Sequence, residues 1–189
     1  MATPDPINFM LKPLPRAQLG TLAELLPGNV AIIEPLRVVS LRCLPGGEGE
    51  LAAAAGALPG PGRFSGGGTQ DTSLLAWRSP SEWLHVGTHD APADGLLDAL
   101  KASPAQAIDI SAGVIVFELR SLALDALLPR LLDAGVPLGQ PGQAARTRLA
   151  DVAVLAMRVA PQRLWLLADR ANDHYLAHWL AYASAALPQ

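Results

Sequence analysis

Arg146 and Arg148 stand two apart in a stretch of strand composition, so their guanidinium groups point the same way and could grip a carboxylate or a phosphate. A solvated edge strand defended by charge accounts for the same spacing. His174 and His178 are four apart in a helical stretch and share a face, which is zinc-binding spacing when a third ligand converges. Tyr175 stands where a H-E-x-x-H motif would need its Glu, and no ligand pattern surrounds the pair. Ser111 follows Asp109, but it lies in no G-x-S-x-G elbow and spacing supplies it with no histidine. The glycines of residues 59–68 precede no Gly-Lys-Ser/Thr and link no strand to a helix as G-x-G-x-x-G, so they form no phosphate loop. Glu82, Trp83 and His85 sit together in a short strand. Trp83 reads as a core anchor, Glu82 as a cap or pairing partner, and His85 as a packed residue on the face of Trp83. No complete catalytic set emerges.

The elements that would position these residues alternate between helix and strand. Helical spacing is expected over residues 16–26, 48–57, 92–102, 122–134 and 170–187, most of them closed by Gly or Pro. Strands are expected over 36–44, 73–78, 82–87, 107–111, 114–120, 143–150, 152–159 and 163–168, with a long Gly/Pro surface loop at 59–68. Composition supports a packed body: of 189 residues half are hydrophobic and 16% charged, enough apolar surface to offset the ordering entropy. A net charge of -3 with scattered arginines argues against nucleic acid. Cys43 has no possible disulfide partner within the chain and lies in an apolar stretch, which suits a reducing compartment. No apolar run approaches a membrane span, and the first residues carry no basic and apolar leader pattern, so the cytoplasm is the expected location. Twelve Arg against two Lys fits GC-rich bacterial coding.

The chain also repeats itself. Val-Val-Ser-Leu-Arg-Cys-Leu at 38–44 answers Val-Phe-Glu-Leu-Arg-Ser-Leu at 116–122, Ala55-Gly56 answers Ala134-Gly135, and Leu75-Ala76-Trp77-Arg78 answers Leu155-Ala156-Met157-Arg158. The expected fold is therefore α/β (α+β), two duplicated ferredoxin-like halves fused into one body, with Leu41 matched to Leu119 and Trp77 to Met157. Residues 36–111 form the first half and 112–189 the second. Residues 1–35 are expected as a tail and short helix outside the duplicated body, with Phe9, Met10, Leu11 and Leu14 needing cover from a partner chain.

Residues 75–87, Leu-Ala-Trp-Arg-Ser-Pro-Ser-Glu-Trp-Leu-His-Val-Gly, resemble the most recognisable segment of the gamma subunit of heterotetrameric sarcosine oxidase. The resemblance continues through Ile108-Asp109-Ile110-Ser111, Val116-Phe117-Glu118-Leu119, Ala145-Arg146-Thr147-Arg148-Leu149 and Trp179-Leu180. It implies a fold related to the folate-binding domain of the glycine-cleavage T-protein. It also implies a non-catalytic gamma-type subunit, in a complex whose other subunits oxidise sarcosine to glycine and carry the flavin and dinucleotide sites. The alternative is a free-standing module taking folate or another small anion between its halves. On that reading tetrahydrofolate is the possible cofactor, with Arg146 and Arg148 as its contacts.

Overall fold

A computed structural model describes residues 16–34, 36–66, 73–87, 90–100 and 105–185, and for 16–19, 90–92 and 185 the backbone alone. The first half is built from β2 (Arg37–Cys43), α2 (Glu48–Ala55), β3 (Phe64–Gly66), β4 (Leu74–Ser79), β5 (Glu82–Gly87), α3 (Asp90–Ala99) and β6 (Ala105–Asp109). The second is built from β7 (Val114–Arg120), α4 (Leu124–Leu131), β8 (Ala144–Leu149), β9 (Val152–Ala160), β10 (Arg163–Asp169) and α5 (Asp173–Ala185). Before them stand α1 (Arg16–Glu24) and β1 (Val30–Ile32).

One sheet runs β3-β4-β5-β2-β6 and the other β8-β9-β10-β7-β1, with every neighbouring pair antiparallel. Each is the ferredoxin-like order extended by one strand, β3 or β8. The sheets stack face to face. Alternation along the strands sends Val38, Ala76, Leu84 and Val86 of one sheet and Val116, Leu155, Met157 and Trp165 of the other into the layer between them. The opposite faces are covered by helices: Val39, Leu41 and Trp83 pack with Leu51, Ala93 and Leu96, while Phe117, Leu119 and Leu164 pack with Leu22, Leu124, Leu127, Leu176 and Leu180. The result is a four-layer α/β/β/α body.

A pseudo-twofold relates the sheets. Arg63 and Gln143 bridge directly, Phe64 N donates to Gly142 O at 3.1 Å, and Ala144 N donates to Gly62 O at 2.9 Å. Equivalent bonds recur away from this point: Trp77 N to Arg63 O matches Arg158 N to Gln143 O, and Cys43 N to Ser81 O matches Ser121 N to Gln162 O. Leu41 and Leu119 correspond as expected, each on the helix-covered face of its strand, β2 or β7. The expected match of Trp77 to Met157 is wrong by one residue. Trp77 corresponds to Arg158, and Met157 to Ala76, because Ala76 and Met157 both face the layer between the sheets whereas Trp77 faces the helices. The hairpin from Ala144 to Met157 is one residue longer than that from Phe64 to Ala76, and a one-residue slip exchanges every face.

Two strands were not expected. β3 lies at the end of the Gly/Pro loop. β1 takes beside β7 the edge that β6 takes beside β2, with Val30 opposite Leu119 and Ile32 opposite Phe117. Residues 22–33 thus belong to the duplicated body rather than lying outside it: Leu22, Val30 and Ile33 are buried in its cores. Phe9, Met10, Leu11 and Leu14 lie outside the described residues. The fourth helix stops at Leu131 instead of Ala134, since Leu132 turns extended and bridges Leu149, a tertiary pairing that overrides helical spacing. The sixth strand spans Ala105–Asp109, and Ser111 opens a short 3-10 turn, Ser111–Gly113. The last helix starts at Asp173 after a second such turn, Arg170–Asn172.

Candidate functional site

The seam between the stacked sheets brings Arg78 and Arg146 to one groove. β8 is the edge strand of its sheet, so Arg146 and Arg148 alternate with buried Thr147 and Leu149 and extend, exposed, on the side of the strand that carries Ala144 toward the other sheet. Neither makes an ion pair among the described residues. Arg146 lines a groove of about 250 Å³ together with Arg78 of the opposite sheet, Val114, Leu155, Leu167 and Asp169. Arg148 lies outside that lining. The guanidinium that shares the groove with Arg146 therefore comes from β4, not from its own strand, a pairing that only the stacking of the sheets creates.

Glu82 centres a buried polar cluster next to this groove. Its Oε1 accepts from Ser40 Oγ at 2.7 Å, from Arg42 Nε and Nη2 at 3.1 Å and from Arg78 Nη1 at 3.0 Å. Burial pushes the carboxyl up, and the Ser40 hydroxyl and the two guanidinium groups outweigh that penalty, holding it below the ordinary glutamate range. Glu82 is thus a pairing residue, and Arg78 reaches the groove already neutralised on one side.

The second sheet carries a cluster that the sequence did not single out. Glu118, 0% exposed, accepts from Arg120 Nε at 2.5 Å, from Arg163 Nη2 at 2.5 Å and Nε at 3.1 Å, and from Trp165 Nε1 at 2.7 Å. Burial again pushes the carboxyl up, and Arg163, Trp165 and Arg120 together bring it below the usual range. The signal was a lone Glu in the apolar run Val-Ile-Val-Phe-Glu-Leu-Arg, a position that a buried strand tolerates only with charged partners. Arg158 was also missed. It is buried beneath α4, donating to Asp125 Oδ1 at 2.5 Å, Leu138 O at 2.8 Å and Pro161 O at 2.6 Å, where its counterpart Trp77 supplies apolar packing.

The remaining candidates form no catalytic set among the described residues. Trp83 is buried under the helices and donates its indole N–H to Pro59 O at 2.9 Å. His85 shares that face, and burial depresses its pKa, so it is neutral near pH 7. Ser111 Oγ donates to Asp109 Oδ1 at 2.5 Å and accepts from Val38 N at 2.8 Å, tying the turn after β6 to β2 and leaving no nucleophile–base pair. His174 bonds Asp173 at 2.8 Å and is exposed, as is His178; among the described residues no group of three or more His, Cys, Asp or Glu could hold a metal. Cys43 is buried, and burial, with a smaller contribution from Glu48, raises its thiol pKa, which makes it a poor nucleophile. Among the described residues no helix is long and apolar enough to cross a membrane.

No protein-family model matches the chain. Among curated proteins it is 32% identical over 148 residues to the sarcosine oxidase subunit gamma of an Arthrobacter species, covering 75% of this chain and 72% of that one. The same values hold for the sarcosine oxidase subunit gamma of Corynebacterium sp. strain P-1. Among solved structures it superposes on a chain of the heterotetrameric sarcosine oxidase from Corynebacterium sp. U-96 with a TM-score of 0.73 and 26% identity, covering 89% of this chain and 92% of that one. The glycine cleavage system aminomethyltransferase T from Bartonella henselae superposes with a TM-score of 0.59 at 15% identity, over 85% of this chain and 47% of that one, a likeness of fold.

Proposed function

The chain belongs to the family of sarcosine oxidase gamma subunits, and from that premise we propose that it is the non-catalytic gamma-type subunit of a sarcosine-oxidase-like complex, with sarcosine oxidised to glycine by its partners. The observation that carries this reading is the near end-to-end superposition on a chain of the heterotetrameric enzyme, 89% of one chain on 92% of the other. The chemistry of the side chains supports it. Ser111, Cys43, Glu82, Glu118 and His85 are each held in a turn, a core or an ion pair, and the sequence contains no G-x-G-x-x-G dinucleotide fingerprint. Its place is the cytoplasm, alongside soluble partner subunits.

The experiment is co-expression with the alpha, beta and delta subunits of a heterotetrameric sarcosine oxidase, followed by gel filtration and a sarcosine oxidation assay. The chain is expected to elute with the other three and, purified alone, to be colourless and inactive. A chain that stays monomeric in their presence, or that carries stoichiometric flavin by itself, overturns the reading.

A second reading has one observation in its favour: the unpaired Arg146 beside Arg78 in the seam groove suits a small anion, of which the carboxylates of tetrahydrofolate are one source. On this reading Arg146 is the main contact and Arg148 an outer one. Calorimetry of the intact chain with tetrahydrofolate tests it, with Arg146→Gln and Arg148→Gln each expected to weaken binding, Arg146→Gln more. Absence of any heat with the parent chain removes this reading.

A further inference from the structure

His174 and His178 stand on consecutive turns of α5, and both are exposed. Side chains four apart on a helix lie one above the other and lean back toward its N-terminus, so the ring of His178 is carried over the turn that holds His174. A third side chain fixes one of the two rings. The carboxylate of Asp173, 8% exposed, lies 2.8 Å from His174 Nδ1 and also accepts from the His174 amide at 2.6 Å. An ionised carboxylate only accepts, so Nδ1 carries the hydrogen and the lone pair of the neutral ring is on Nε2. The His174 side chain is 59% exposed, and His178 makes no hydrogen bond or ion pair among the described residues. Metal-ligating imidazoles have this arrangement: one nitrogen on a carboxylate that sets tautomer and orientation, the other left for the ion. The positive end of the helix disfavours a cation there, and the negative charge of Asp173 at the same end offsets it.

The geometry points to a surface site for a divalent transition-metal ion on α5, with His174 Nε2 and a ring nitrogen of His178 as its two protein ligands and Asp173 as the positioning residue. The donors define the class. Imidazole nitrogens suit Cu²⁺, Ni²⁺ and Zn²⁺, with Cu²⁺ held most tightly, whereas Mg²⁺ and Ca²⁺ take oxygen ligands. Among the described residues no group of three or more His, Cys, Asp or Glu could enclose an ion, so water completes the coordination and the site stays open on one side. It shares no residue with the Arg146 groove and does not depend on assembly with other subunits.

The test is a titration of the intact, untagged ¹⁵N-labelled chain at neutral pH with zinc chloride and with copper(II) chloride, and with magnesium chloride as control. Zinc is expected to bind saturably, copper more tightly and magnesium not at all. Substoichiometric copper is expected to broaden first the amide signals around His174 and His178. His174→Ala and His178→Ala, both at exposed positions, are each expected to abolish the saturable binding, while His85 and His89 remain in every variant. Asp173→Asn is expected to weaken zinc binding about 10–100-fold. The imidazole ¹⁵N shifts of His174 give that residue's role a separate readout, with the Nδ1–H tautomer expected in the parent and a mixture of tautomers in Asp173→Asn. If Asp173→Asn fails to fold, the two histidine variants decide the matter. No saturable zinc binding in the parent chain, broadening centred elsewhere, or unaltered binding by either folded histidine variant overturns the site.

Discussion

Two carboxylates are buried in corresponding pairs of strands, one in each sheet, yet they do not occupy corresponding positions. In the first sheet Glu82 stands on β5, directly opposite Arg42 and bonded to Ser40 of β2. In the second the pseudo-twofold places Glu118 at the position of Ser40, Arg120 at that of Arg42, and Arg163 at that of Glu82. The duplicated frame has kept a charged pair across the same two strands while the acid has moved from β5, the middle strand of the first sheet, to β7, the strand beside the middle of the second. What is retained is the balance of charge at a desolvated spot, and what is free to vary is the strand that supplies it. The environments differ too: Glu118 is fully enclosed and also accepts from Trp165, whereas Glu82 is 8% exposed; Arg42 and its counterpart Arg120 are alike largely solvated.

That difference predicts unequal responses. Glu118→Gln should cost the most, about 3 kcal/mol in urea-monitored stability, because it leaves Arg163 facing the seam without its counter-ion while Trp165 keeps an acceptor. A loss under about 1 kcal/mol would mean that the enclosed pair contributes no more than an exposed one. Glu82→Gln should cost less, about 1–2 kcal/mol, since water can take over part of the Arg42 and Arg78 donors. Equal losses would erase the contrast.

Acid should separate the two clusters in the same order. Both carboxyls have folded pKa values below the ordinary 4.5, so below that value the unfolded chain binds protons that the folded chain withholds. Their stabilisation is complete above about pH 4.5 and is lost as pH falls through the folded values. Urea midpoints measured from pH 6 to pH 3 should therefore fall less steeply for Glu118→Gln than for the parent, and by an intermediate amount for Glu82→Gln. Identical slopes in all three proteins would show that neither group is the acid-labile element. The smallest effect belongs to Arg146→Gln, which should change stability by less than about 0.5 kcal/mol, because that side chain is exposed and unpaired. A larger loss would make Arg146 a structural residue and remove it from the anion groove.

Alternation and punctuation in the sequence were enough to determine most of the strands and helices, the duplication, and the match of Leu41 to Leu119, because each of those rests on neighbours within a few residues. The family segment around Trp83 was legible for the same reason. The tertiary structure alone decided what depends on pairing across the chain. β1 is too short to announce itself, and it becomes a strand because β7 has an open edge at the place where β6 closes the first sheet. The true register of Trp77 against Arg158 follows from a single extra residue in one hairpin, which string matching spreads over a gap but a sheet converts into a change of face. Arg146 and Arg148 are neighbours by periodicity, yet the groove pairs Arg146 with Arg78, 68 positions away, because two sheets stacked about a pseudo-twofold bring their edges together irrespective of distance along the chain. The spacing of His174 and His178 was legible in the sequence, whereas the burial of Asp173 and its hold on His174 Nδ1 were not, since burial is a property of everything packed around a residue.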